Sequence, residues 1–151
     1  MKSKTEILIE HWEESRTRFT NELEKLNSVD LTKKLGNSPN SIGFLVRHIA
    51  DVELLFAKNV FGDSSIKVTA KTVIDKRDTG EWVYLEDLKT YVNESFIRLK
   101  SMLELQKDED WEQEITTKEF GTKTKAEAFG RIVSHTAYHA GQIVMINKYG
   151  I

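Results

Sequence analysis

Three histidines carry the chemistry this sequence offers. His135 and His139 stand four residues apart in Ser134-His135-Thr136-Ala137-Tyr138-His139. On an α-helix such residues differ by only about 40° in azimuth and about 6 Å along the axis, so both side chains project to one side. Imidazole nitrogen binds zinc at about 2.0–2.1 Å, and a helical HxxxH pair supplies two adjacent ligands from a rigid support. Alone, the pair is a weak signal, because surface histidines or core histidines bonded to backbone carbonyls can share the spacing. His48 strengthens it by falling on the apolar face Ile42, Leu45, His48, Val52 and Leu55. His135 and His139 fall on a similar face with Ala128, Ile132, Gln142, Ile146 and Tyr149. Burying unpaired imidazoles costs free energy, and one shared divalent ion satisfies all three. Neutral ligands leave the ion its full Lewis acidity, and a count of three leaves a coordination position for water or substrate.

The neighbours of these histidines offer supporting roles. Asp51, one turn after His48, is placed to orient an imidazole through its second nitrogen, as carboxylates do around metals, or else to sit solvated on the helix surface. Gln142, one turn beyond His139, is placed to hydrogen-bond a metal-bound water or ligand, or to serve as a buried amide. Arg131, Ser134 and Tyr138 point away from the apolar face and are expected outside the pocket. His11 lies about 90° from the stripe of its helix and reads as a boundary or surface residue. Trp12, Trp82 and Trp111 read as core and loop anchors rather than a stacking platform.

Composition narrows the function classes. There is no cysteine, so disulfides, thiolate ligands and a protein-borne thiol nucleophile are excluded, and thiol chemistry must use a thiol brought by a substrate. Twenty-two basic residues against 24 acidic ones give a net charge of -2, which provides no positive field for nucleic acid. Charges recur through the N-terminal segment, so it has no signal-like or membrane-spanning run, and cytoplasm is the expected location with no membrane partner.

These side chains need a scaffold. A chain of 151 residues with 39% hydrophobic and 30% charged residues is expected to form one domain spanning residues 1–151. Helical periodicity marks four segments. The first runs from about Ser3 to Asn27 with Leu8, Trp12, Phe19, Leu23 and Leu26 on one face and glutamates and arginines on the other. After the turn Gly36-Asn37-Ser38-Pro39-Asn40, a second helix starts with Asn40 or Ser41 as N-cap and reaches about Asn59. A third begins near Tyr84 with a seam of Leu85, Leu88, Val92, Ser95, Leu99 and Met102. The fourth spans about Ala126 to Lys148. The expected fold is all-α, a four-helix bundle with long connections between helices two and three and between three and four. The first connection, residues 61–83, has a β-prone run, Ile66-Lys67-Val68-Thr69, and a turn-like Asp78-Thr79-Gly80. The second contains Glu114-Ile115-Thr116-Thr117 and Phe120-Gly121-Thr122, a small β-hairpin before the fourth helix. Loops of such length are usually functional.

Ser134-His135-Thr136-Ala137-Tyr138-His139-Ala140-Gly141-Gln142-Ile143 resembles the HxxxHxGQ signature of the DinB-like superfamily of metal-binding four-helix proteins. Ser41-Ile42-Gly43-Phe44-Leu45-Val46-Arg47-His48-Ile49-Ala50-Asp51 is similar to the second-helix segment that contributes that family's first metal histidine. Phe120-Gly121-Thr122-Lys123-Thr124-Lys125 resembles the stretch before its last helix. The resemblance covers the architecture of nearly the whole chain, and its metal triad carries onto His48, His135 and His139. Members include thiol S-transferases that use bacillithiol or mycothiol, a mycothiol-dependent isomerase and proteins without established activity. Homodimers are common among them, and the one-sided first helix leaves surface for a partner.

Together these features lead to the expectation of a thiol S-transferase. A divalent ion, zinc or nickel, would activate a low-molecular-weight thiol against a small-molecule substrate. The alternatives are a metal-dependent hydrolase with activated water and a non-catalytic stress protein stapled by its metal. Metal binding is expected to weaken as pH falls through the free histidine pKa of about 6.5.

Overall fold

Local signals set the helix boundaries. In the computed structural model, which describes residues 1–151, Ser3 caps α1 (Lys4–Lys25): its hydroxyl accepts from Glu6 N while the Glu6 carboxylate accepts from Ser3 N. Ser41 caps α2 (Ile42–Asn59) by accepting from Phe44 N. A single helical turn, α3 (Lys71–Ile74), interrupts the first long connection. It is followed by α4 (Leu85–Glu104). The strands β1 (Glu114–Thr117) and β2 (Gly121–Thr124) pair antiparallel, Glu114 opposite Thr124 and Thr117 opposite Gly121. Gly121 takes a φ of 72°, open to glycine at no steric cost. Thr124 ends β2 and caps α5 (Lys125–Tyr149) in a second reciprocal box with Glu127.

The four long helices form a bundle in which α2 packs against α4 and α5, and α1 against α5 and α4. Helices α2 and α5, which carry the three histidines, are therefore direct neighbours. The hairpin precedes the last helix, and Phe120 in its turn lies against Phe56 of α2 with ring centroids 6.2 Å apart. No helix is long and apolar enough to cross a membrane.

The core consists of two apolar clusters, one around Trp12, Phe56, Trp111 and Phe129, the other around Phe19, Leu45, Ile49 and Ile143. Each fully buried side chain of this kind contributes about 1.5–3 kcal/mol. Between the clusters each helix places a buried polar residue: Arg16, Glu53, Ser95 and Thr136. Arg16 Nε and Nη2 donate to the two Glu53 carboxylate oxygens at 2.9 Å each, Ser95 Oγ donates to Glu53 Oε1 at 3.1 Å, and Arg16 Nη2 also reaches the Val92 carbonyl. The expectation that arginines of the first helix face water fails at Arg16. A bidentate carboxylate partner and the Phe96 ring 4.8 Å away compensate its burial.

The β-prone run Ile66–Thr69 stays outside any strand, and Ile66 packs into the core. One further expectation is corrected. In α5 the buried line is Ala128, Ile132, Thr136, Ala140, Ile143 and Ile146, whereas His135, His139 and Gln142 are half-buried and Tyr149 is exposed. The packed line steps by four residues from Ala128 to Ala140 and by three from there to Ile146, so between Ile132 and Ile146 it parts from the alternating three- and four-residue spacing that carries the histidines. The histidines thus stand at the edge of the core.

Candidate metal centre

His48 reaches the cluster from α2, and His135 and His139 from α5. One nitrogen from each lies within 4.8 Å of the others, and the ring centroids are 4.5–5.0 Å apart. His48 Nε2 and His135 Nε2 approach to 3.1 Å. Two nitrogens about 2.0–2.1 Å from a shared tetrahedral ion stand about 3.3 Å apart, so this pair has the separation that a common ion requires.

Hydrogen bonds behind the rings decide which nitrogens are free. Asp51 Oδ2 accepts from Thr72 Oγ1 at 2.6 Å and from Thr72 N at 3.2 Å. The threonine has a single hydroxyl proton and spends it on the carboxylate, so its oxygen must accept from His48 Nδ1, 3.2 Å away. His48 therefore carries its proton on Nδ1 and turns the Nε2 lone pair toward the other histidines. His139 Nδ1 lies 2.6 Å from Gln142 Oε1, an acceptor, which leaves the Nε2 lone pair of His139 free in the same way. His135 Nδ1 is buried without a partner. These residues fit a divalent ion: the Nε2 lone pairs of His48 and His139 face the cluster, His135 Nε2 stands beside that of His48, and no carboxylate competes among the three.

Burial keeps the rings neutral and therefore able to ligate. It pushes His48 down to about 4, with neighbouring His139 adding to the effect and Asp51 opposing it. His135 falls to about 3, first through burial and then through His139, His48 and Arg131. His139 is also lowered by burial, against the bond to Gln142. Burial thus lowers the pH at which protons compete for these nitrogens relative to a free histidine.

Asp51 touches no histidine. It acts through Thr72 and also accepts from Tyr91 OH at 2.7 Å and Arg47 Nε at 3.1 Å. Burial, the phenol's own bond to Asp51 and the charge of that carboxylate hold the Tyr91 phenol far above its usual range, against the opposing charge of Arg47. The Arg47 guanidinium lies 3.5 Å from the Tyr91 ring centroid and 4.9 Å from that of Trp82. Thr72, Tyr91 and Arg47 have no sequence signal linking them to the histidines. Thr72 lies 24 residues from His48 in a segment without helical periodicity.

Two cavities flank the cluster. One of about 290 Å³ is lined by His135, Arg131, Ser134, Tyr138 and Glu119 over a floor of Val52 and Phe56. The other, about 500 Å³ and mostly apolar, is lined by Leu35, Leu45, Tyr138, Gln142, Met145 and Ile146 among others. Tyr138 stands between them, 66% exposed, its ring edge-on to His139 at 5.2 Å. Arg131, Ser134 and Tyr138 thus line the pocket, contrary to expectation, because the shifted core line brings the histidine face of α5 to the surface. His11 is exposed and apart from the cluster.

A family model described as DinB superfamily matches residues 11–143. Among solved structures, the crystal structure of a conserved protein from Enterococcus faecalis is similar in fold, with a TM-score of 0.72 and 16% identity over 99% of this chain and 98% of that one. No curated protein matches the sequence.

Proposed function

The chain belongs to the DinB superfamily, and from that premise we propose that it is a thiol S-transferase dependent on a divalent metal held by His48, His135 and His139. The observation that carries this reading is the convergence of three uncharged imidazoles, their nitrogens within 4.8 Å, beside two cavities of ligand size. Zinc or nickel suits such a donor set, and a metal there lowers the pKa of a coordinated thiol so that thiolate predominates at neutral pH. In the net reaction the thiol proton passes to solvent, sulfur forms a bond to an electrophilic carbon, and the leaving group departs with its electron pair.

The chain's residues divide the remaining work. Arg131, beside His135, offers a guanidinium to an anionic group on the thiol. Apart from Tyr138, the larger cavity has no ionisable lining residue and suits an uncharged, largely apolar electrophile. Because the protein lacks cysteine, the reacting sulfur must arrive with the cosubstrate.

The test is metal analysis of the native protein followed by an electrophile panel assayed with and without low-molecular-weight thiols. Turnover that requires both metal and thiol supports the transferase. Metal-dependent ester hydrolysis without thiol would replace it with the hydrolase, and metal without turnover would leave a stapling role.

A further inference from the structure

We propose that Thr72 is a positioning residue for the metal centre, fixing His48 in the tautomer that presents Nε2 to the ion and tying the 61–83 connection to the cluster. The inference rests on the proposed metal site and adds a residue from outside its helices. Thr72 is only 2% exposed although it belongs to a single helical turn in a long connection. Its backbone N–H and hydroxyl both donate to Asp51 Oδ2, so one carboxylate oxygen fixes both the placement of the turn and the direction of the hydroxyl. The hydroxyl oxygen can then only accept from His48 Nδ1. Asp51 is buried and held from its other oxygen by Tyr91 and Arg47, so the chain Asp51–Thr72–His48 starts from a fixed group. Ala70, just before the turn, adopts a left-handed conformation with φ 49°. A non-glycine residue keeps that conformation only where its surroundings over-determine it, and the double anchorage of Thr72 supplies such a constraint.

Carboxylates and carbonyls commonly orient metal-bound histidines directly, and loss of such outer partners costs about 10–100-fold in metal affinity. Here a hydroxyl is interposed. It passes on the carboxylate's orientation without placing a negative charge on the imidazole.

The test uses the full chain with Thr72→Val, Thr72→Ser and Thr72→Ala. The His48 tautomer is read by long-range 1H–15N NMR on metal-free protein, and zinc affinity by chelator competition. Wild type should show His48 protonated on Nδ1. Thr72→Val should lose that preference and bind zinc about 10-fold or more weakly, while Thr72→Ser should restore both. Thr72→Ala, which keeps the backbone N–H donated to Asp51 and removes only the hydroxyl, should lose the preference in the same way, and it decides the matter should Thr72→Val fail to fold. An unchanged tautomer and affinity in either folded variant overturns the proposal. Wild-type protein that binds no zinc at the histidines overturns the metal site instead, and the metal-free NMR still decides the role of Thr72.

Discussion

Replacing Glu53 by alanine should cost far more stability than its single carboxylate suggests. Glu53 is fully buried, and the Arg16 side chain is 5% exposed, so neither group can be rescued by water. Two 2.9 Å bonds join them across the bundle interior, and Ser95 donates to the same carboxylate. Without Glu53 the guanidinium keeps the Val92 carbonyl at 3.2 Å as its one hydrogen-bond acceptor, beside the Phe96 and Phe19 rings. Breaking a buried pair from one side typically costs about 3–5 kcal/mol, a large share of the roughly 5–15 kcal/mol that stabilises a domain. Removing both charges, as in Arg16→Met with Glu53→Leu, leaves no orphan and should recover most of the loss. Urea unfolding monitored by far-UV circular dichroism measures each change, and the midpoint in a thermal scan should fall by roughly 6–20 °C for Glu53→Ala. A single-mutant cost below about 1 kcal/mol, or a double mutant no better than the single, would refute the reasoning that desolvation governs this layer.

The remaining predictions concern pH and backbone packing. Because His48 and His135 titrate at about 4 and about 3 in the folded protein but near 6.5 when unfolded, the unfolded chain binds more protons between these limits. Metal-free protein should therefore lose stability as pH falls from about 6.5 toward 4, and a flat urea midpoint across that window would contradict the burial of the rings. Gly43→Ala should destabilise by about 1–3 kcal/mol, since its Cβ would lie 1.8 Å from the Trp82 carbonyl oxygen. Gly130→Ala, which meets nothing within 4 Å inside α5, should stabilise by about 0.5–1 kcal/mol in the same urea assay. Equal effects at both glycines would mean that Gly43 does not accommodate the crossing segment.

Legibility in the sequence followed the range of the forces involved. The long helices and the hairpin are local events, governed by periodicity and capping at Ser3, Ser41 and Thr124, and they could be read from the chain within a few residues. The neighbouring positions of His135 and His139 followed from helix geometry. What could not be read depends on contacts between distant segments. Arg16 is polar by type and buried only because Glu53 lies opposite. Thr72 gains its place from Asp51, and Arg131 and Tyr138 reach the cavity because the packed line of α5 runs through Thr136 and Ala140. Periodicity identified which residues share a face, but the neighbouring helices determine how far that face turns inward.

The central claim is that the three histidines hold one metal ion, and the most direct test is elemental analysis of the native protein beside His48→Ala, His135→Ala and His139→Ala. The account predicts one zinc or nickel ion per chain in the wild type, retained through gel filtration, and loss of that ion in each folded variant. A wild type that takes up no divalent metal, or variants that keep it at full stoichiometry, would contradict the claim.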